Sequence, residues 1–384
     1  MIITNFDQTR FLSEYWQKKP CIIRGFIPDF VDPIDEHELA GLAQEQDIDS
    51  RVVSCKSNKW TATQGPFDDF TTVCIGAWTL LVQGVDRYID EVDELTELVN
   101  FIPNWRLDDV MISFSNEGAG VGPHTDEYDV FIIQGKGERR WQVGLPDEYK
   151  ESIPHSLLKQ IEGFTPIIDE VLKPGDVVYI PPKHPHNGVA LSDCINYSIG
   201  FRAPSSLEVL TGIIDENIIV PSSAVRYTDP QLLQLREPST RSAAVDKKEI
   251  EIIKQQLFEL LQSEQAEHAL LQMLSRQSLP NDDEAISDYA LEDVHSALSL
   301  GTTLARMTGV KPVYATDQDS EEYTFFIDGN RFSIIQALRE PIELILNNKQ
   351  VIIGIDVDED ALNWPEFTKL VTELINAGYW VFLE

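Results

Sequence analysis

The stretch Gly122-Pro-His-Thr-Asp-Glu-Tyr-Asp-Val-Phe-Ile-Ile-Gln134 contains two potential metal ligands, His124 and Asp126, just before an apolar run. In extended backbone, side chains two residues apart point to the same side, so these two can face one ion. A single His-x-Asp motif is common by chance. Most histidines lie on the surface or have hydrogen-bond partners in the core. A metal site therefore needs a further ligand from elsewhere in the chain.

A second stretch, Lys173–His186, supplies that ligand. Its Pro-Gly-Asp predicts a tight turn, Val177–Ile180 a buried strand, and the following Pro-Pro an abrupt strand end. A barrel delivers side chains to its mouth in this way. Either His184 or His186 could complete a set of two histidines and one carboxylate. Such a set is the facial triad of non-haem Fe(II) oxygenases, although ligand type alone leaves zinc possible.

The region from Asp109 to Arg202 has the pattern of short strands separated by glycine and proline turns. The predicted strands are Val110–Ser115, Asp129–Gln134, Arg139–Gly144, Ile167–Leu172, Val177–Ile180 and Ile195–Arg202. Their spacing favours a sandwich or barrel. With the metal ligands, the specific candidate is a double-stranded β-helix, a cupin-like jelly roll, within an α+β chain. Strand count alone does not exclude an ordinary sandwich.

The residues before this region predict two helices, a hairpin and a long helical segment. The helices cover Asp7–Pro20 and Asp35–Gln46, and the hairpin covers Val52–Thr63 with its turn at Ser57-Asn58. Apolar spacing then predicts a helical region over Ala77–Val99.

The residues after Arg202 predict helices with one apolar face and then a mixed region. Three helices are expected at Ser205–Ile219, Ala244–Gln262 and Glu264–Ser275, with Ser278–Glu284 as a linker. This helical group is too small for a confident core of its own, so it is expected to dock on the barrel or on a second copy.

The last hundred residues predict a module similar to a winged helix. Its helices are expected at Tyr289–Ser299, Ile334–Leu346 and Trp364–Ala377, and its strands near Thr302–Met307, at Tyr379–Phe382 and in a hairpin through Asp328-Gly329. The part from Ala285 onward has six basic and seventeen acidic residues, which argues against DNA binding.

The whole chain is strongly acidic, with a formal charge of −34 from 64 acidic and 30 basic residues. This charge opposes phosphate binding and favours a basic protein partner, unless it only provides solubility. Four cysteines without a C-x-x-C spacing fit a reducing compartment. No secretory signal pattern and no run of eighteen apolar residues occurs, so a cytoplasmic protein without a membrane segment is expected.

The segments Gly122–Trp141 and Lys173–Arg202, with Tyr15–Pro20, resemble the JmjC-type ribosomal oxygenases of bacteria. The resemblance covers the whole chain and implies a JmjC catalytic domain at 1–204, a helical dimerisation region at 205–284 and a winged-helix-like domain at 285–384. It also implies Fe(II), 2-oxoglutarate and dioxygen as cofactor and co-substrates. Within this family the chain looks like the enzymes that hydroxylate an arginine of large-subunit ribosomal protein sixteen.

The resemblance also implies the roles of individual residues. It places the third metal ligand at His186, in the Pro-His-Asn-Gly segment, and the distal carboxylate of 2-oxoglutarate on Arg139, two residues before Trp141. An arginine fork suits a carboxylate, and strand alternation puts Arg139 rather than Arg140 on the face of Trp141. Ser115 and Asn196, on predicted flanking strands, are further candidates for hydrogen bonds to the co-substrate.

Two other functions remain open from the sequence. One is the same oxygenase chemistry on a different target, such as a histidine or a methyl-lysine. The other is a non-catalytic cupin that binds a ligand or assembles a complex. Arg139 beside the triad discriminates against the second, because a binding module has no need of a cation for a distal carboxylate. Several carboxylates flank the motifs and could meet a cationic side chain, namely Asp108, Asp109, Glu117, Glu127 and Asp129.

Overall fold

The computed structural model describes residues 2–215, 225–230, 242–280, 289–318, 320–357 and 364–383. They belong to two compact units, one consisting mainly of Met1–Ala203 and the other of Pro204–Ser278 with most residues from Ile286 onward. The three-domain division at 204 and 284 stays a prediction. The end of the predicted helix at 216–219 and the linker residues 281–284 lie outside the described residues.

The first unit is built on two sheets and a hairpin. Its strands are β1 (Ile2–Ile3), β2 (Cys21–Ile23), β3 (Ser50–Lys56), β4 (Lys59–Gln64), β5 (Ala77–Val82), β6 (Leu107–Ser115), β7 (Val130–Gln134), β8 (Arg139–Gly144), β9 (Glu151–His155), β10 (Leu158–Ile161), β11 (Pro166–Leu172), β12 (Val177–Ile180), β13 (His186–Ala190) and β14 (Cys194–Phe201). The described strands form a large sheet in the order β1-β2-β12-β7-β14-β6-β5-β3-β4, a smaller sheet β11-β8-β13 and the hairpin β9-β10.

Strand β7 shows why both faces of the large sheet are apolar. Its Val130 and Ile132 pack toward the smaller sheet, against Trp141 of β8 and its neighbours. Its Phe131 points the other way, where its ring lies 5.2 Å from that of Phe11 on α1 (Gln8–Glu14). Alternating side chains thus bury two layers at once. The predicted double-stranded β-helix is confirmed.

Most predicted elements of this unit are present. Helix α1 begins at Asp7, whose carboxylate accepts the Arg10 N–H, and α2 (Glu36–Leu42) begins at Asp35 with a capping box. The hairpin β3-β4 turns at Ser57 and Asn58, which both have positive φ. The six strands expected between Asp109 and Arg202 occur with ends shifted by up to three residues. Strands β9, β10 and β13 were not predicted.

The helical region predicted over Ala77–Val99 is wrong for its first six residues. Residues Ala77–Val82 form β5, which pairs with β3 on one side and β6 on the other. The following residues form 3-10 turns at Val85–Arg87 and Glu94–Val99 around the short helix α3 (Asp90–Asp93). A central strand buried on both faces is continuously apolar, so its sequence lacks the alternation that would separate it from a buried helix.

The second unit combines helices with two small sheets. Its elements are α4 (Ser206–Asp215), α5 (Lys247–Leu261), α6 (Glu264–Ser275), α7 (Leu291–Ser299), β15 (Leu304–Arg306), β16 (Val313–Tyr314), β17 (Glu322–Ile327), β18 (Asn330–Ile335), α8 (Arg339–Asn347), β19 (Gln350–Val351), α9 (Trp364–Asn376) and β20 (Trp380–Phe382). The described strands pair as β19-β15-β20 and β16-β17-β18. The winged-helix-like character expected for this part is confirmed.

One boundary in the second unit differs from prediction. The helix expected from Ile334 begins only at Arg339, after the end of β18 and a 3-10 turn at Gln336–Leu338. Pro341 then lies in the first turn of α8, where its missing N–H has no helical partner to lose. Among the described helices of both units, none is both long and apolar enough to cross a bilayer.

Candidate metal centre

Two main-chain hydrogen bonds bring the two histidines of the motif together. His124 donates its N–H to the His186 carbonyl at 3.0 Å, and His186 donates its N–H to the His124 carbonyl at 2.9 Å. This isolated antiparallel bridge lies at the start of β13. Directly opposed residues place their side chains on the same face, and the two imidazole centroids are 4.2 Å apart.

The carboxylate of Asp126 completes a three-residue cluster. Its Oδ2 lies 3.3 Å from Nε2 of His186 and 3.8 Å from Nε2 of His124. One ligand atom from each residue falls within 4.8 Å of the others. His184 is outside this cluster, and its Nδ1 lies 3.1 Å from the Pro182 carbonyl.

The orientation of both imidazoles suits metal binding through Nε2. Nδ1 of His124 lies 2.9 Å from the Gly122 carbonyl, and Nδ1 of His186 lies 3.0 Å from the His184 carbonyl. Because a carbonyl only accepts, each Nδ1 must donate its proton, which leaves the Nε2 lone pair free toward Asp126. The cluster thus presents two nitrogen and one or two oxygen donors to a single point.

Electrostatics favour the metal-binding protonation state at two of the three residues, His124 and Asp126. Burial, reinforced by His186, lowers the pKa of His124 to about 4. For Asp126, burial works to raise the pKa, but hydrogen bonding to His186 and the charges of both histidines lower it to about 2. Burial also works to lower the pKa of His186, and the Asp126 carboxylate reverses this into a net rise. A neutral His124 and an ionised Asp126 are ready to bind a cation.

Arg139, on β8, is a buried cation without a carboxylate. Its Nη1 donates to Ser115 Oγ at 3.1 Å and to Asn196 Oδ1 at 3.0 Å, and its Nη2 donates to the Gly188 carbonyl at 3.1 Å. Its Nε is buried with no hydrogen-bond partner. Burial lowers the pKa of this guanidinium. Among the described residues no carboxylate forms an ion pair with Arg139, so its environment lacks an anion.

The neighbouring arginine faces the other way. Arg140 is exposed and makes a bidentate pair with Asp169, with both N–O distances at 2.6 Å. This matches the alternation that the sequence predicted for β8. Gly188 on β13 pairs with Trp141 on β8. A side chain at Gly188 would collide with Arg139, because its Cβ would lie 2.7 Å from the Arg139 Nε.

Ser115 and Asn196 hold Arg139 in place within a polar network. The Ser115 hydroxyl lies 2.9 Å from that of Thr79, and Asn196 donates its Nδ2 to Gln134 Oε1 at 2.8 Å. Thr79 and Gln134 were not recognised in the sequence, because both lie inside apolar strand patterns. Direct contact of Ser115 and Asn196 with a co-substrate stays a prediction.

A cavity of about 570 Å³ opens onto the cluster. His124, Asp126, His186, Arg139 and Asn196 are among its lining residues. It is also lined by residues that are at least partly exposed, and of these the sequence had indicated only the two aspartates: Arg51, Asp108, Asp109, Met111, Tyr128, Leu157 and Lys159. These seven residues are called the cavity mouth.

Comparison with known proteins agrees with this geometry. A JmjC domain family model matches residues 94–209, and a ROXA-like winged-helix model matches residues 253–381. The chain is 38% identical to the ribosomal protein uL16 3-hydroxylase of Escherichia coli K12, over 97% of this chain and 96% of that protein. It is 35% identical to a probable ribosomal oxygenase of Haemophilus influenzae, over 67% of this chain and 64% of that protein.

Solved structures give the same result. The X-ray structure of E. coli YcfD superposes with a TM-score of 0.89 at 34% identity, covering 99% of both chains. A structure of that ribosomal oxygenase in complex with cobalt and 2-oxoglutarate superposes with a TM-score of 0.86, covering 100% of this chain and 99% of the other. With a relative of this identity aligned over nearly its full length, the chain belongs to the JmjC-type ribosomal oxygenases.

Proposed function

We propose that the protein is an Fe(II)- and 2-oxoglutarate-dependent hydroxylase that acts on an arginine side chain of large-subunit ribosomal protein uL16. The main observation in favour of 2-oxoglutarate as co-substrate is Arg139. This buried guanidinium has no carboxylate partner among the described residues and lines the cavity that contains the histidine–aspartate cluster. The relative named uL16 3-hydroxylase supports the choice of target.

Fe(II) would be held by His124, Asp126 and His186, a three-residue donor set that would leave further coordination positions for the co-substrates. With 2-oxoglutarate bound, the iron supplies the oxidising chemistry that splits dioxygen between succinate and a hydroxyl group on the substrate. Zinc would bind the same donor types, but a structural zinc site would use a closed, four-ligand set.

Side chains of the protein would bind the co-substrate, orient it and exclude water. Arg139 would bind the far carboxylate of 2-oxoglutarate with a charge-assisted pair, using the Nε that has no partner. Ser115 and Asn196 hold that guanidinium in one orientation. Val130 and Ile132, on β7 of the large sheet, line the cavity, and their apolar surface would exclude water from the reacting groups.

The cavity mouth supports a cationic target. Asp108 and Asp109 line it, and burial together with the charges of Asp86 and Asp108 raises the pKa of Asp109 to about 6. A guanidinium placed here would relieve the repulsion among these carboxylates and return Asp109 to its ionised form. A neutral histidine would do neither. A methyl-lysine would be attracted too, but only arginine offers a planar fork to a carboxylate.

We also propose a homodimer formed through the helices of residues 205–276. Helix α5 has no buried residue, yet one side of it displays a run of exposed apolar side chains at helical spacing. These are Ile250, Ile253, Leu257, Phe258 and Leu261. A second copy would cover this surface by an isologous contact. A ribosomal protein target makes the cytoplasm the proposed location.

The test of the function combines two readouts. The protein is mixed with iron, 2-oxoglutarate, ascorbate and uL16, and both succinate and the mass of uL16 are measured. A gain of one oxygen atom on an arginine, dependent on the enzyme, iron, dioxygen and 2-oxoglutarate, is expected. Histidine hydroxylation would place the same mass on a different residue, methyl-lysine removal would lower the mass, and a binding module would form no succinate.

A further inference from the structure

A second arginine without a carboxylate partner, Arg51, lies at the cavity mouth. Its Nε is buried without a hydrogen-bond partner, and its one hydrogen bond among the described residues is a long 3.4 Å contact from Nη1 to the Leu157 carbonyl. No described carboxylate pairs with it, although the chain has more than twice as many acidic as basic residues. The guanidinium of Arg51 therefore has donors in the cavity wall that no strong acceptor of this chain satisfies.

The register of the large sheet shows where Arg51 points. Arg51 on β3 is directly opposite Leu81 on β5, Leu81 is opposite Ser113 on β6, and Ser113 is opposite Asn196 on β14. Directly paired residues share a face of the sheet. Arg51 therefore lies in the same row as Asn196, which contacts Arg139. It faces the cavity, and its long side chain reaches the mouth.

Asp109 occupies a different corner of the same concave surface. It lies four residues before Ser113 on β6, whereas Arg51 lies two strands away from Ser113. Strand geometry puts their Cα atoms ~16 Å apart. This distance corresponds to about five residues of extended polypeptide. The mouth thus has a negative edge at Asp109, since Asp108 beside it pairs with Arg202 at 3.4 Å, and a positive edge at Arg51.

Tyr128 lies at the same mouth, two residues after the proposed ligand Asp126, and is 45% exposed. A chain segment that crosses the mouth from Asp109 to Arg51 would therefore cover a cavity lined by Tyr128 and by the metal cluster.

We propose that Arg51 is a specificity-determining residue that binds a main-chain carbonyl of the substrate polypeptide at the edge of the mouth opposite Asp109. The inference rests on the proposed function, since it concerns how the uL16 segment lies while its arginine is hydroxylated. Arg51 offers donors in a planar fork, and a carbonyl is the acceptor that every residue of an extended segment presents. In a basic segment, carbonyls are more abundant than carboxylates.

The hairpin β9-β10 keeps this edge in position. Gln160 Nε2 donates to the Val121 carbonyl at 2.8 Å, and Ile161 N–H donates to the Pro123 carbonyl at 2.9 Å, so the hairpin is tied to the loop that precedes His124. Leu157, between the two strands, provides the carbonyl near Arg51. A bound segment would compete with that weak contact without displacing an ion pair.

The experiment measures binding of uL16 to the Fe(II)- and 2-oxoglutarate-loaded protein without dioxygen, where no turnover occurs. Arg51→Met, Arg51→Lys and Arg51→Glu are compared with Arg10→Met and Arg10→Glu. Arg10 is exposed on α1, which packs on the opposite face of the large sheet, away from the cavity. Because both residues are arginines, the Arg10 variants have the same change in net charge as the Arg51 variants. Unfolding midpoint and affinity for 2-oxoglutarate are measured for every variant.

Loss of a charge-assisted hydrogen bond predicts that Arg51→Met weakens uL16 binding about tenfold or more. Arg51→Lys should restore part of the affinity, and Arg51→Glu should weaken binding further, because a carboxylate repels a carbonyl oxygen. The Arg10 variants should stay within about twofold of wild type, since exposed single charges contribute little. Affinity for 2-oxoglutarate should not change.

Three results would overturn the inference while leaving the proposed function intact. The first is unchanged uL16 binding by Arg51→Met. The second is tighter binding by Arg51→Glu, which would mean that a substrate cation faces this edge. The third is a parallel loss of 2-oxoglutarate affinity in the Arg51 variants, which would mean that Arg51 only supports the hairpin. Failure of the wild-type protein to bind or hydroxylate uL16 would instead remove the proposed function, and this inference with it.

Discussion

His124 and His186 are 62 positions apart in sequence and are joined by a reciprocal pair of main-chain hydrogen bonds of 3.0 and 2.9 Å. The bridge closes the loop that contains Asp126 against the beginning of β13. The positions of the three proposed ligands therefore depend on strand pairing, which side-chain substitutions leave in place.

The first prediction follows because the main-chain pairing does not depend on the ligand side chains. His124→Ala, Asp126→Ala and His186→Ala should each abolish iron binding and turnover, because a facial site cannot lose one of three ligands. The fold should persist, since these side chains line a cavity. Metal content and circular dichroism measure the two effects. His184→Ala is the matched control, and full activity of His186→Ala with loss in His184→Ala would reassign the third ligand.

The second prediction concerns the co-substrate. Arg139→Ala should raise the 2-oxoglutarate requirement steeply, because a carboxylate left unpaired in a confined site costs roughly 2–5 kcal/mol. Arg140→Ala is its control, since Arg140 is exposed and bonded to Asp169. Titration of 2-oxoglutarate against succinate release measures both variants. A larger effect at Arg140 would mean that Arg139 does not bind the co-substrate.

The third prediction is a pH dependence at Asp109. Its pKa of about 6 lies above the ordinary 3.8, so the folded state binds more protons than the unfolded state between these values. Stability should therefore fall as pH rises from about 4 to 6 and stay lower above that range. Asp109→Asn removes the penalty and should raise the free energy of unfolding by about 1–3 kcal/mol at pH 7.5, with little change at pH 4.

The same variant should bind uL16 less well, because an amide attracts a guanidinium less than a carboxylate does. Denaturant unfolding at the two pH values and uL16 titration measure the opposing effects. Asp47→Asn, a matched change at an exposed aspartate, should alter neither. Loss of stability in Asp109→Asn at pH 7.5 would contradict the prediction.

The fourth prediction is a homodimer. Light scattering at micromolar concentration should give twice the chain mass of 43.5 kDa. Leu257→Glu, which puts a charge into the apolar stripe of α5, should yield monomers that keep their helical content, because Leu257 is 58% exposed in the single chain. Gln255→Glu, at an exposed polar position of the same helix outside the apolar stripe, is the control. A monomeric wild-type protein would refute the proposal.

The fifth prediction uses the net charge of −34. Raising the salt concentration should weaken capture of uL16 more than it weakens uncoupled 2-oxoglutarate turnover. Long-range attraction is screened within about 8–10 Å at moderate ionic strength, whereas contacts inside the cavity are screened less. Parallel measurement of the two rates from low to high salt tests this. An equal salt dependence would show that global charge does not guide the encounter.

Local sequence patterns predicted much of the fold. The alternation in β8, the helices that begin near Asp7 and Asp35, and the turn at Ser57-Asn58 each depend on residues a few positions apart. Such features are encoded in short stretches of chain. The pattern failed at Ala77–Val82, because a strand covered on both faces has no alternation, and only its pairing with β3 and β6 identifies it.

The sequence by itself determined which side chains are available: a histidine and an aspartate two residues apart, a histidine after a proline-ended strand, and an arginine on the face of Trp141. Tertiary structure alone decided that these converge, that Arg139 has no carboxylate partner among the described residues, and that Arg51 and Asp109 line one cavity. The physical reason is that strand neighbours in a jelly roll are distant in sequence. Contacts across the sheet depend on register, and no short stretch of chain encodes that register.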